Sequence, residues 1–430
     1  MTGQPRNKDF KHNYLVNVLD GGFFGFSMSF ASFTTIIPLF VASLTTSATL
    51  IGLIPAIHTM GWQLPQLLTV RRISKLPRYR PFVLATTIHE RIPFLGLAVV
   101  AWLAPKIGSE LALVLVFALL IWQGLGGGIA ANPWQNMIGK VIPSDYLATF
   151  FGIQSSAANL LASAGAVAAG YLLETVAEPY GFTLCFLFAG VGMMVSLFFI
   201  SLTREDERPP RLPDYVEIPL IQQIKTILRG DANFRNFLLA RILSQFGLMS
   251  SAFYVVYAVE FLGMSEYTAG VLTSVLFFTQ VIVNPVLGRL ADRWNRKHVL
   301  EIGAVAMISS ALLAWWAPNL TWFYLVFIFT GIANTVFWSV VMAFTLSFGT
   351  EDERPTYVGL ANTLIAPSAI LAPLLGGWLA DYGGGYQSTF LTAASAGLIT
   401  LILLHFLVKE SRPVYPPDPS RALDSPSSIE

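Results

Sequence analysis

The chain has 430 residues, of which 54% are hydrophobic and 12% charged, against roughly 25% charged in an ordinary soluble domain. Its 26 basic and 25 acidic residues nearly cancel, and it carries one cysteine, Cys185. That composition excludes a soluble enzyme, a nucleic-acid binder and a disordered scaffold, and a single cysteine excludes an internal disulfide or a multi-cysteine metal site.

Residues 1–13 are polar and are not followed by a short apolar core with a cleavage site, so they read as a tail and not as a cleaved signal peptide. Apolar stretches follow at 14–41, 49–70, 82–104, 111–137, 150–173 and 182–202. Each is long enough for a bilayer-spanning helix of about 20 residues. Together they predict a six-helix bundle over 14–202. The polar connector 203–234 contains TREDERPPRLPDYVE, and then Ile221, Ile224 and Leu228 at helical spacing, opposite Gln222, Gln223, Lys225 and Arg229. This pattern fits either a short helix on the membrane surface or a partly ordered connector. A second set of stretches at 237–262, 269–287, 299–317, 322–348, 357–379 and 388–408 predicts a second six-helix bundle over 235–410. Residues 411–430, rich in Pro, Ser and Asp, are expected to be a disordered tail.

Lys and Arg alternate with these spans. With the N-terminus inside, 23 fall in inside segments and only Lys106 outside, while Arg91 and Arg241 lie within spans. One missed or extra helix would scramble that alternation, so the expectation is an integral, multi-pass plasma-membrane protein, such as one of a bacterial inner membrane, with both termini cytoplasmic.

The two halves repeat. At an offset of 218, Leu44, Ser47 and Gly52 fall on Leu262, Ser265 and Gly270, and Arg71 and Arg78 fall on Arg289 and Arg296. Further on, GIA at Gly128 matches GIA at Gly331, and AGYLLE at 169–174 matches GGWLAD at 376–381. Parallel repeats of this kind imply two bundles related by an axis along the membrane normal, with a solute path between them.

The segment GRLADRWNRKHVL at 288–300 resembles the signature loop of the major facilitator superfamily, Gly-x-x-x-Asp-Arg-x-Gly-Arg-Lys/Arg. The resemblance implies an all-α fold of 12 transmembrane helices and a gating loop carried by Gly288, Asp292, Arg293, Arg296 and Lys297. Gly288 is expected to permit a close helix approach, and Asn295, in place of the second Gly, to adopt the left-handed conformation. The first-half copy, VRRISKLPRYR at 70–80, lacks the Gly and the Asp, so the latch is expected to be asymmetric. WQGLGGG at 122–128 resembles a proton-antiporter motif, but Leu120 stands where that motif carries a buried Arg. GAVAAG at 165–170 lacks the Gly-Pro of the antiporters' fifth span.

An ionisable group at mid-bilayer costs about 2.5 to 3.5 kcal/mol on insertion scales, so each one needs a reason. Asp20 and Arg241 sit at similar depths on repeat-related spans, where they could pair across the bundles or be satisfied each within its own half. His89, Glu90 and Arg91 lie near mid-membrane on the third span. Neighbours about 100° apart on a helix pair poorly, so at least one of Glu90 and Arg91 should reach another helix. Glu90 is a candidate proton carrier, and the alternative is a structural ion pair such as Arg91 with Asp20. Candidate cavity residues are His58, Gln63, Trp122, Asn132, Trp134, Tyr254, Tyr257, Asn334 and Trp338. Aromatics with scattered amides and few charges suit a neutral or amphipathic organic solute.

The sequence therefore reads as a secondary transporter working by alternating access, with proton-coupled export of a small organic, neutral or amphipathic solute as the leading version. Uptake of a sugar-like solute, lipid movement and a non-transporting membrane sensor are the alternatives. The chain is expected to act as a monomer in the lipid bilayer, on a small-molecule substrate, with protons as the coupling partner and with no nucleic acid, cofactor or metal. His12, His58, His89, His298 and His405 are scattered and no nucleophile constellation is present, which argues against an enzyme. No phosphate loop points to ATP as the energy source.

Overall fold

A computed structural model describes residues 9–73, 76–207, 220–293, 295–345, 347–348 and 354–410. The first half runs α1 (Phe10–Phe30), α2 (Ile36–Leu44), α3 (Ala48–Ile73), α4 (Arg80–Ile107), α5 (Ser109–Val141), α6 (Ser144–Thr175) and α7 (Tyr180–Ser201). After the linker helix α8 (Leu220–Gly230) come α9 (Ala232–Leu248), α10 (Tyr254–Leu262), α11 (Glu266–Arg293), α12 (Arg296–Trp316), α13 (Thr321–Thr335), α14 (Val341–Thr345), α15 (Arg354–Tyr382) and α16 (Tyr386–Phe406). Among the described residues, ten helical segments are long and apolar enough to cross a membrane. The other two of the twelve spans are the broken α1–α2 and the more polar α3, which carries His58, Gln63, Gln66, Arg71 and Arg72.

The first span breaks for a local reason. Pro38 sits in the first turn of α2, has no N–H to donate back and would clash with the carbonyl one turn earlier. Within the break, Ser32 Oγ accepts from Thr34 N at 3.2 Å. At the repeat-related position of the seventh span, Met249–Ala252 tightens into a 3₁₀ turn between α9 and α10. The turn that ends α10 uses Gly263 at φ 64°, a left-handed conformation. It lets Met264 N donate to Ala258 O at 3.0 Å. In the linker, α8 packs on α9, and its Ile227 and Leu228 lie against the second bundle's core. The side chains of Ile221, Gln222, Gln223 and Ile224 are outside the described residues.

Within the first half, α1 packs on α6 and α7, α4 on α5 and α7, and α3 on α5. Within the second, α16 packs on α9 and α12, and α13 on α11 and α12. The bundles meet along α6–α11 and α3–α15. At the first crossing, a Cβ on Gly270 would lie 2.7 Å from Gly170 Cα; at the second, a Cβ on Gly377 would lie 2.7 Å from Thr49 Cα. Neither helix pair could come this close with a side chain at those positions.

Acidic residues lock the same two crossings. Asp381, at the end of α15, accepts from Ala48 N at 2.7 Å, Thr49 N at 2.8 Å, Thr49 Oγ1 at 2.5 Å and Ser47 Oγ at 3.1 Å. It thus caps the N-terminus of α3 from the opposite bundle, where the helix dipole favours an anion. Its repeat partner Glu174, at the end of α6, accepts from Tyr267 N at 3.4 Å at the start of α11. Deeper in, Thr35 meets Thr273 at 2.5 Å and Ser163 meets Ser274 at 2.7 Å.

These contacts lie in the half of the molecule remote from the chain ends, here the distal half. There, one hydrophobic core joins the bundles, running from Phe30, Ile37, Ile51 and Ala169 to Phe253, Ala269, Leu272 and Phe390. The terminal half instead holds two separate cores. One contains Val83, Ile138, Phe150 and Ile200 of the first bundle; the other contains Phe234, Phe237, Val299 and Tyr357 of the second. Among the described residues, the bundles share a core distally and hold separate cores towards the chain ends.

Cys185 is fully buried and is the chain's one cysteine, so in a Cys185→Ala background an introduced Thr273→Cys reports on the distal seal. Asp381→Ala or Gly270→Leu is expected to raise labelling of that cysteine by a soluble maleimide several-fold. Unchanged labelling in both would show that neither the cap nor the glycine contact holds the bundles together.

Candidate functional site

The membrane-depth charges of the first bundle form one cluster. Asp20 on α1, Arg91 on α4 and Ser196 on α7 are each almost fully buried. Asp20 Oδ1 accepts from Arg91 Nη2 at 3.3 Å and from Ser196 Oγ at 2.5 Å. Arg91 also donates to Thr87 Oγ1 and, at 3.1 Å, to Ser196 Oγ. Its guanidinium lies 5.5 Å from the centre of the Phe24 ring. Counting from the helix starts, Asp20 and Arg91 are both roughly 15 Å along their helices, which is why they meet.

Glu90 joins the same cluster. Its Oε2 is 3.5 Å from Arg91 Nη1 and accepts from Thr87 Oγ1 at 3.4 Å. As expected for neighbours that pair poorly, this contact is long, and Arg91 reaches across to Asp20 on another helix while touching Glu90. Glu90 has room because Gly127 faces it, where a Cβ would sit 2.9 Å from its Oε1. The WQGLGGG glycines are thus contact surfaces: Gly124 meets Gly61 of α3, and Gly126 meets the backbone of His89 and Glu90. Leu120 is fully buried in this packing.

Arg241 is not joined to Asp20. Among the described residues it makes no ion pair, and its guanidinium lies 5.9 Å from the Phe237 ring centre on its own helix. Where α13 gives way to a π-helical turn at Val336–Val340, Trp338 projects with 65% of its surface exposed and meets Trp62 of the other bundle at 5.7 Å. Such a turn inserts an extra residue and re-aims side chains, often at functional sites. Asn334, half-buried, is one turn before Trp338, and Ser339 donates to Asn284 at 3.3 Å. Gln63 Oε1 is buried with no hydrogen-bond partner among the described residues.

Several expected cavity residues make contacts within their own bundles. Tyr254 is 1% exposed and bonded to Ser250 at 2.8 Å and Ser310 at 3.2 Å inside the second bundle. Tyr257 packs among Phe261, Phe323, Tyr386 and Phe390 in the distal core. Trp122 lies on an exposed face, donating to His89 Nδ1 at 3.3 Å. Trp134 packs edge-on to Phe151, and Asn132 accepts from Asn136 on its own helix. His58 is held within the first bundle by Gln123 Oε1 at 3.3 Å and by the Phe33 ring at 4.1 Å.

The loop before α12 also differs from expectation. A Cβ on Gly288 would meet nothing within 4 Å, so no close approach requires glycine there. Asn295 is extended, at φ −162°, and serves as the N-cap of α12 by accepting from Lys297 N at 2.9 Å. The side chains of Asp292 and Arg293 lie outside the described residues. Lys297 Nζ donates to His405 O at 2.7 Å. Arg296 N and Lys297 N are capped by Glu410, at 3.3 and 3.0 Å. The first bundle repeats this device: Glu205 accepts from Tyr79 N at 2.9 Å, Arg80 N at 2.7 Å and Lys140 Nζ at 2.8 Å. Upstream of each glutamate an asparagine clamps the backbone, Asn13 on Arg204 and Asn233 on Lys409. In sequence these are TRE and VKE, similar enough to align only once the surrounding repeat is known.

Breaking a buried ion pair by removing one partner typically costs about 3–5 kcal/mol. Arg91→Met, which leaves two carboxylates with no cation, is expected to lower the melting temperature of the purified protein more than Asp20→Asn. The double variant should recover part of the loss. Equal melting temperatures for Arg91→Met and wild type would remove the cluster from the account of stability.

The family model described as the Major Facilitator Superfamily matches residues 19–259 and 237–428. Multidrug resistance protein 2 of Bacillus subtilis is 28% identical over 148 residues, which cover 34% of this chain and 36% of that protein. The chain thus matches only about a third of that relative's length. An uncharacterised MFS-type transporter of Methanocaldococcus jannaschii is 25% identical over 406 residues, covering 91% of this chain and 94% of that one. The fold is similar to the crystal structure of a D-xylose–proton symporter, with a TM-score of 0.70 at 16% identity over 93% of this chain and 98% of that chain. With a family model matching both halves and two bundles meeting in the way the repeat requires, the chain belongs to the major facilitator superfamily of membrane transporters.

Proposed function

We propose that the protein is a secondary transporter that exports a small amphipathic organic solute across the plasma membrane, coupled to protons. The observation that carries this reading is the contrast between one shared distal core and two separate terminal cores. It is what alternating access needs, namely a seal on one side and a cleft on the other. The 23 to 1 split of basic residues supports placing the terminal face in the cytoplasm, so that the cleft opens inward. The named role of the partial Bacillus relative, multidrug resistance, supports export over uptake.

The cluster of Asp20, Glu90 and Arg91 is the proposed coupling site. Two carboxylates face one guanidinium, so the cluster is charge-balanced only with one proton aboard. Glu90 is the proposed carrier, because Asp20 is fixed by Ser196 as well as Arg91, whereas Glu90 makes only longer contacts. Asp381 and Gly170–Gly270 would form the outer seal that opens when the cycle reverses.

In inside-out vesicles, screened against neutral and charged fluorescent solutes, the transported compound should accumulate faster when the lumen is acid. Glu90→Gln should abolish that acceleration while leaving solute counterflow intact. A gradient response as large in Glu90→Gln as in wild type would contradict the assignment of Glu90, and wild-type transport indifferent to pH would contradict proton coupling altogether.

A further inference from the structure

Two arginines lie at membrane depth, and the structure treats them oppositely. Arg91 is buried and bound by Asp20, Glu90, Thr87 and Ser196. Arg241 makes no ion pair among the described residues, and its one ring contact is with Phe237. The carboxylate at matching depth in the other bundle, Asp20, is already committed to Arg91 and Ser196.

The direction in which Arg241 points can be read from its helix. On α9 the exposed residues Ala232, Arg235 and Leu239 share one face. Phe234, Phe237, Leu238 and Ser244 are buried. At 100° per residue, Arg241 falls within that buried stripe, about 160° from Leu239. Yet it is only half-buried. Arg241 thus keeps free surface on the side of α9 turned away from its exposed face, and the orientation inferred for it is into the gap between the two terminal cores. Arg241 lies about 14 Å from the start of α9, and Trp338 about 10 Å from the end of α14, so the cation and the exposed tryptophan open onto the same level of that gap.

We propose that Arg241 is the anion-recognition point of the cleft, and that the transported solute is a monoanion with an apolar, ring-bearing body. The proposal rests on the reading of the terminal cleft as the solute path. An unpaired guanidinium on apolar walls is stabilised by an arriving carboxylate or sulfonate, through charge-assisted hydrogen bonds stronger than neutral ones. The exposed Trp338, with Trp62 across the gap, supplies the surface for the apolar body. A polyanion such as a phosphate ester would call for further cations, and at mid-membrane depth the only Lys or Arg besides Arg241 is the already occupied Arg91. The solute class expected from composition, neutral or amphipathic, is thereby narrowed to an amphipathic anion.

The test uses the full chain in lipid nanodiscs and three probes of matched shape: 2-naphthalenesulfonate, 2-naphthalenesulfonamide and 2-naphthyltrimethylammonium. Binding is read by thermal shift. Wild type should bind the sulfonate about tenfold or more tighter than either other probe, the factor expected for a hydrogen bond to a charged group. Arg241→Gln should bring the sulfonate to the level of the sulfonamide without weakening the sulfonamide, and Arg241→Lys should keep part of the preference. Equal or tighter binding of the neutral or cationic probe by wild type overturns the proposal, as does the absence of sulfonate binding up to millimolar concentration. The wild-type ranking decides even if Arg241→Gln proves unstable. Trp338→Ala separates the two layers of the argument. If it leaves sulfonate affinity intact, the cleft is not the solute path; if it weakens all three probes equally but no charge preference exists, only the anion assignment falls.

Discussion

In a bilayer, apolar helices gain nothing by leaving lipid for each other, so their association is set by how closely backbones can approach and by the few polar groups that must be paired. The two bundles of this protein meet under that constraint. Gly170 and Gly270 let α6 and α11 touch at backbone distance, Gly377 does the same for α15 against α3, and Asp381 then caps the α3 N-terminus across the junction. These contacts are small and sit at one end of the molecule. Bundles joined in this way can separate distally without unpacking either interior, since each holds its own terminal-half core.

The placement of charge follows the same economy. The first bundle neutralises its arginine internally, with two carboxylates and two hydroxyls around Arg91. In the second, Arg241 makes no ion pair among the described residues and has the Phe237 ring beside it. A transporter needs one group whose charge balance can change and one surface that waits for a solute. On this account the two bundles divide those tasks, the first holding the proton-exchanging cluster and the second the recognition surface, with Trp62 and Trp338 meeting between them.

Much of the architecture was legible in the sequence, because bilayer thickness and loop charge act on long segments. The repeat alignment relates Gly52 to Gly270 and Gly170 to Gly377. What it could not show is that Gly170 meets Gly270 across the bundles, since an alignment relates equivalent positions and not facing ones. Depth along the spans placed Asp20 level with Arg241 and left Arg91 as an alternative partner, and only packing decides which arginine is within reach. Aromatic side chains were the least readable. Tyr254 is buried, Tyr257 and Trp134 pack half-buried against the cores, Trp122 faces outward, and Trp338, in a π-helical turn that leaves no mark in residue periodicity, is exposed beside Trp62. Motif reasoning misjudged Gly288 and Asn295, because a loop pattern does not reveal that one lies in open space and the other caps a helix.

The central claim is that the molecule rocks about its mid-membrane level, opening one face as it closes the other. Paired spin labels test it directly: one pair on the exposed Arg78 and His298 at the terminal face, the other on the exposed Ala177 and Tyr382 at the distal face, all outside the bundle cores. Double electron–electron resonance on the reconstituted protein, with pH stepped from alkaline to acid, should show the two distances changing in opposite directions. Two distances that stay fixed, or that lengthen and shorten together, would contradict the account.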